Sequence, residues 1–220
     1  MAAIDKAINS YLKKMHSVSG TSKGVYGEQA AFKICEQLYQ KYGGILYHSF
    51  VYPTSQEKDG NIKIDAQGSL FLERLGPTTE IDILLVTMNR VFIIEVKAYK
   101  AKEITLLPNK ITGCFYTEKS PIHQNEMHAR HLYEAIYKTL PDGKSEYIVP
   151  ICVIVDKCKL VDKRPAWQME YIYKATLDTL PILLEQKNTP LEKIIDLRAM
   201  SKTLTDVAIK YEKKLPLRYV

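Results

Sequence analysis

Three charged residues stand where charge is costly. Asp82 interrupts the apolar run Ile81-Asp82-Ile83-Leu84-Leu85-Val86. Glu95 and Lys97 interrupt a second run, Phe92-Ile93-Ile94-Glu95-Val96-Lys97. Thr87-Met88-Asn89-Arg90 separates the runs, which read as neighbouring strands. Charge buried in a strand is expensive unless it is paired or ligates a metal. Side chains alternate along a strand, so Glu95 and Lys97 share a face while Ile94 and Val96 turn the other way. Asp82 can join them if the register allows. Two carboxylates and an ammonium then share one small volume. Such a cluster could serve only to specify register. Asp with Glu-x-Lys also suits metal-assisted phosphodiester hydrolysis. Carboxylates and backbone carbonyls are hard oxygen ligands for Mg²⁺ or Mn²⁺. A bound ion orients water, lowers its pKa and neutralises charge on phosphate. A nearby lysine can orient the water or stabilise the transition state.

Other elements must position this set. A helix is expected from about Val25 to Tyr42, stopped by Gly43-Gly44. Ala31, Ile34, Cys35, Leu38 and Tyr39 form its apolar face. At 100° per residue Glu28 falls on the edge of that face, where it could complete a metal shell directly or through water. Proximity to a helix N-terminus would also explain a carboxylate there. Ser120-Pro121 predicts an N-cap followed by a first-position proline, opening a helix to about Leu140. Gln124, Met127, His128, His131 and Ala135 share one side of it. His128 and His131 invite a metal reading, but H-x-x-H without a third ligand is weak.

The rest of the chain reads as scaffold. A short helix is expected over residues 4–16 and a Ser/Thr/Gly-rich loop over 17–24. Gly20-Thr21-Ser22-Lys23-Gly24 lacks the residue order of a phosphate loop and follows no strand. Strands are expected over 45–52, within 61–75, around 103–107 and 114–117, and over 147–156, with a turn at Gly76-Pro77. The first of these and the two charged runs suggest an antiparallel meander. The helix between the second charged run and residues 147–156 suggests a crossover onto the same sheet. Thr179-Leu180-Pro181 opens a helix to about Lys187, and a last helix is expected from Pro190 or Leu191 to Lys214. The order of elements predicts an α/β fold with a mixed sheet.

Composition sets the class. At 220 residues, with 46% hydrophobic and 25% charged residues, the chain is an ordinary globular domain with enough residues for a core. Apolar runs are too short for a transmembrane helix, and the N-terminus lacks a signal-peptide core. Cys35, Cys114, Cys152 and Cys158 show no CxxC spacing, which argues against zinc and for reduced thiols in the cytoplasm. The net charge of +6 hints at a polyanionic partner.

The motifs together resemble the restriction-endonuclease-like PD-(D/E)XK superfamily, and within it the nuclease-related (NERD) domain. Gly27-Glu28 matches a Gly-Glu that opens the first helix, Glu80-Ile81-Asp82 the Ile-Asp element, and Ile94-Glu95-Val96-Lys97 the Ile-Glu-x-Lys strand end. Pro121-Ile122-His123-Gln124-Asn125 matches a Pro-x-x-Gln-Asn helix start, with His128 and Leu132 downstream. The chain departs from the family at Ile83, where His is common, and after Lys97, where a Gly is usual. The resemblance implies a restriction-endonuclease-like mixed β-sheet core flanked by helices, with a C-terminal helical extension. It divides the chain into an N-terminal helix and loop (1–23), a nuclease-like core (24–175) and a packed C-terminal extension (176–220). It implies an active site of Glu28, Asp82, Glu95, Lys97 and Gln124. Asp82, Glu95 and Glu28 would hold Mg²⁺ or Mn²⁺, and Gln124 would orient a ligand, water or phosphate. The implied substrate is nucleic acid, DNA in preference to RNA, and a homodimer would suit double-strand cleavage. A silent nucleic-acid-binding module is the alternative, using Lys157, Lys159, Lys163, Arg164 and the Lys213-Lys214-Arg218 tail on phosphates.

Overall fold

The computed structural model describes residues 20–53, 78–99, 101–108, 110–113, 120–155 and 158–219. The expected helix over 4–16, the strand segments within 61–75, the Gly76-Pro77 turn and the strand over 114–117 lie outside them.

Helix α1 (Gly20–Tyr42) leads into β1 (Gly44–Pro53), β2 (Thr78–Val86) and β3 (Val91–Lys97). Short strands β4 (Glu103–Leu106) and β5 (Ile111–Thr112) follow, then helix α2 (Pro121–Ile136). Strands β6 (Ile148–Ile154) and β7 (Lys159–Asp162), helix α3 (Ala166–Tyr171), strand β8 (Tyr173–Thr176) and helices α4 (Leu180–Lys187) and α5 (Leu197–Val207) come next. Strand β9 (Lys213–Arg218) ends the described chain. The main sheet has the order β8-β6-β3-β2-β1-β9. The pairs β9–β1, β1–β2 and β2–β3 are antiparallel, while β3–β6 and β6–β8 are parallel. The fold is therefore a mixed α/β sheet flanked by helices, consistent with a restriction-endonuclease-like core. A small sheet, β5-β4-β7, leans on the β6 side through Ile104, Leu106 and Ile111 against Cys152 and Ile154.

Helices cover both faces, and the strand residues divide between them. Ile83, Leu85, Phe92, Ile94 and Val96 pack with Ala31, Ile34, Cys35 and Leu38 of α1 and with Leu180 and Leu184 of α4. Leu84, Val86, Val91 and Ile93 pack with Ala129, Leu132 and Ile136 of α2 and with Leu197, Met200 and Leu204 of α5. Burial on both faces explains why β3 and β6 read as nearly unbroken apolar runs.

Alternation fails at one level of the sheet. Tyr47 and Phe50, three residues apart, share the α2-side core, and so do Ile81 and Leu84 on β2. Both strands thus roll by one residue at the same height. The residues at the roll are Ser49, at φ 53°, and Asp82. His48 pairs with Ile83 and Phe50 with Ile81, so Ser49 and Asp82 lie opposite each other where the ladder is interrupted.

Three expectations need correction. The 17–24 stretch is helical from Gly20, so Gly27-Glu28 lies within α1 and does not open it. A Cβ at Gly27 would approach Val155 Cγ2 to 2.5 Å, so glycine here allows α1 to sit against the end of β6. Ser120 precedes α2 in extended backbone, but its buried hydroxyl caps nothing, and only its carbonyl accepts the Gln124 N–H at 3.0 Å. Finally, the tail is not one helix to Lys214. Asp196 caps α5 through the N–H groups of Arg198 and Ala199, and α5 ends at Val207. The chain then pairs with β1: Ile209 N–H donates to Val51 O at 2.8 Å, and Glu212 N–H to His48 O at 3.0 Å. Backbone pairing to a long buried strand overrides the helical reading of residues 208–214.

Candidate active site

The site lies where β2 and β3 part. The two strands pair from Val86↔Val91 to Ile83↔Ile94, and the ladder stops there although both continue. Val96 N–H is left without a strand partner on that side. The Asp82 carboxylate accepts it through Oδ2 at 2.7 Å. Asp82 is half-buried, and burial raises its pKa, opposed by the Val96 N–H and by Lys97.

Glu95 is 1% exposed. Its Oε1 contacts the Lys97 ammonium in an ion pair, and its Oε2 lies 3.5 Å from His128 Nδ1 of α2. Neither His128 Nδ1 nor Glu95 Oε2 has a hydrogen-bond partner among the described residues. Burial and then the Asp82 charge push Glu95 up to about 8, although Lys97 works in the opposite direction. Burial disfavours the Lys97 ammonium, yet contact with Glu95 outweighs it and the pKa ends raised. His128 falls to about 4, through burial and then the Lys97 charge, so its imidazole is neutral at pH 7.

Glu28 approaches from the opposite face of the sheet on α1. It is half-buried, and burial together with Asp82 lifts its pKa to about 7, with Lys97 opposing. Asp82, Glu95, Lys97 and Glu28 therefore form one electrostatic set. From α2 the polar side chains that reach inward are His128 and Asn125. Asn125 is fully buried, and its Nδ2 donates to Ile93 O at 3.2 Å and Ile151 O at 2.9 Å, tying α2 to β3 and β6. Gln124 is exposed on the first turn of α2, and its side chain has no partner among the described residues.

The place of two histidines in this neighbourhood escapes sequence reasoning. His128 shares the predicted inward face of α2, but nothing local marks Glu95 as its neighbour. His48, on β1 with Nε2 4.0 Å from Glu28 Oε2, looks like any polar residue in a strand.

The donor set fits a hard divalent cation. Three carboxylates repel one another in a poorly hydrated place, and apart from the Lys97 contact the buried Glu95 oxygens have no hydrogen-bond partner among the described residues. Oxygen ligands with spare lone pairs are what Mg²⁺ and Mn²⁺ take. Among the described residues no three His, Cys, Asp or Glu side chains are arranged as a ready metal cage. The Lys97 ammonium instead sits against Glu95 and partly balances the charge.

The surface proposed for phosphate binding is smaller than the sequence suggests. Arg164 is buried, and its guanidinium is bidentate to Asp162 with 2.9 Å contacts and donates to Ile172 O. Lys159 pairs with Glu103 at 2.8 Å, and Lys213 lies 3.8 Å from Glu36. Lys157 lies outside the described residues. No helix among the described residues is long and apolar enough to cross a membrane.

A sequence model of the nuclease-related domain (NERD) matches residues 23–155. No curated protein and no solved structure matches the chain.

Proposed function

The chain belongs to the nuclease-related domain (NERD) family, in the PD-(D/E)XK superfamily, and we propose that it is a Mg²⁺- or Mn²⁺-dependent nuclease that hydrolyses phosphodiester bonds, of DNA in preference to RNA. The observation that carries this reading is the contact of Lys97 with a buried, otherwise unsatisfied Glu95, next to an Asp82 fixed by the Val96 N–H.

Asp82 and Glu95 would hold the cation, with Glu28 supporting it from α1. When bound, the cation would supply an activated water and neutralise charge building on the phosphate. Lys97 stands beside the carboxylates, where its ammonium can orient the attacking water and stabilise the extra negative charge of the transition state. Glu28 is poised near neutral pH, so it can hold or release a proton close to the reacting groups. Gln124, exposed on the first turn of α2, would bind a phosphate or an ordered water from the solvent side. His128, buried and neutral, packs 3.5 Å from Glu95 Oε2 and would limit how Glu95 can turn.

The test is a cleavage assay on duplex and single-stranded DNA and on RNA, with Mg²⁺, Mn²⁺ or EDTA, comparing the protein with Lys97→Ala. Cutting that needs the cation and disappears in the variant is expected. Full cutting by the Lys97→Ala protein would remove this assignment. Salt-dependent binding without cutting, under every metal and substrate, would favour a silent binding module.

A further inference from the structure

His48 lies between two carboxylates from opposite ends of the chain. Its Nδ1 is 3.0 Å from Glu212 Oε2, and its Nε2 is 4.0 Å from Glu28 Oε2. The ring is held on other sides as well. Its centroid is 5.2 Å from that of Phe32, which follows Glu28 by one helical turn on α1. In the sheet, His48 pairs with Ile83 of β2 and Lys213 of β9. The Glu212 N–H donates to the carbonyl of His48 itself at 3.0 Å. Glu212 is thus fixed by its backbone to the residue its side chain touches.

These contacts differ from an incidental surface ion pair. Exposed pairs contribute little because two mobile side chains must be ordered. Here the His48 side chain is only 15% exposed, and the backbone of Glu212 is locked in register. His48 Nε2 is buried with no hydrogen-bond partner among the described residues and lies on the side of Glu28. The field of His48 also reaches Asp82, and that of Glu212 reaches Glu28. The NERD match ends at residue 155, so Glu212 lies outside it.

We infer that His48 is a positioning residue that holds the Glu28 carboxylate towards Asp82 and Lys97, and that the segment leading into the C-terminal strand completes the active site by supplying Glu212 to hold His48. This rests on the reading of Glu28 as part of a metal-dependent site. Partners behind metal-binding carboxylates commonly change metal affinity or activity by about 10- to 100-fold when removed.

The experiment measures Mn²⁺ affinity by calorimetry, and the ¹³C shift of the Glu28 carboxyl in the metal-free protein at fixed pH. The proteins are the full chain and its Glu212→Ala, Glu212→Gln, His48→Ala and Glu28→Ala variants. Glu212 is exposed, so its substitutions leave the fold intact even if His48→Ala does not. The expected result is Mn²⁺ binding weakened about 10-fold by Glu212→Ala and by His48→Ala, with no further loss when the two are combined. Glu212→Gln recovers only part of the affinity, because it keeps an oxygen near Nδ1 but removes the charge of the ion pair. Neither change adds to Glu28→Ala, and the Glu28 signal shifts in both alanine variants. Unchanged affinity and an unchanged Glu28 signal in a protein that binds Mn²⁺ would overturn the positioning role and leave the nuclease reading standing. A wild-type protein that neither binds Mn²⁺ nor cuts, but whose Glu28 signal follows Glu212→Ala, overturns the nuclease reading and leaves the His48 link standing.

Discussion

Asp82 accepts the backbone N–H of Val96 at 2.7 Å, across the point where β2 and β3 separate. One carboxylate oxygen thereby replaces a ladder hydrogen bond, and Val96 lies between Glu95 and Lys97. The Asp fixes the backbone that carries the other two groups. Asp82→Asn preserves an acceptor for this N–H while removing the charge. It should keep the fold, measured by thermal unfolding, and lose cation-dependent cutting.

Lys97→Ala should lower the cleavage rate by about 10²- to 10³-fold, the scale for loss of one transition-state donor. Because Lys97 also balances Glu95, the metal-free variant should lose stability too. Rate at saturating substrate and denaturant midpoint, measured on the same preparation, separate the two effects. A variant with an unchanged rate contradicts the role.

Stability of the metal-free protein should fall as pH rises. Glu28 and Glu95 stand at about 7 and about 8, above the ordinary 4.5, so the folded chain holds protons that the unfolded chain has released. Their contribution is full below 4.5 and is lost as pH passes through about 7 and about 8. The melting temperature should therefore decrease over this window, and Glu95→Gln should flatten the decrease. Mn²⁺ should raise the melting temperature most at the alkaline end. A melting temperature that climbs across this window in the metal-free protein contradicts the prediction.

Gly27→Ala should destabilise by about 1–3 kcal/mol, the usual cost of overpacking, because its Cβ would meet Val155 Cγ2 at 2.5 Å. Valine is branched at Cβ and has little room to turn away. Combining it with Val155→Ala should recover part of the loss, seen as a higher urea midpoint than Gly27→Ala alone. No recovery would mean that Val155 is not the obstacle.

Arg164→Gln should act on stability and spare DNA affinity. Asp162 is held down to about 2: burial opposes this, and the bonds from Arg164 and Lys174 outweigh it. Losing the bidentate partner should cost about 1.5–3 kcal/mol, the range for hydrogen bonds to charged groups. Filter binding at a temperature where both proteins are folded should give matching DNA affinities. Weaker binding by the variant would return Arg164 to the phosphate surface.

The central strands β1, β2, β3 and β6 were legible because their pattern is local, whereas β7, β8 and β9 were not. β6 is apolar throughout and β3 is so apart from Glu95 and Lys97, and those charges announce themselves against that background. The five apolar positions predicted on α1 are all buried. What could not be read depends on distant partners. Asn125 and Gln124 are neighbours on α2, and only the position of β3 and β6 decides that Asn125 is the buried one. The roll at Ser49 and Asp82 leaves no trace either, since a serine at positive φ carries none of glycine's local signal. Lys213 to Arg218 become a strand because β1 offers an unpaired edge, a fact that resides elsewhere in the chain.

That edge has a consequence for solution behaviour. β1 is ten residues long and almost wholly buried, and without β9 its row of N–H and C=O groups would be open to a strand from another molecule. β9 is a poor template in its own right. It carries Lys213, Lys214 and Arg218, and Pro216 has no N–H to donate. The strand that brings Glu212 to His48 therefore also shields the sheet from aggregation. Removing residues 209–219 would convert a study of catalysis into one of insolubility, whereas single substitutions at Glu212 leave the shield in place.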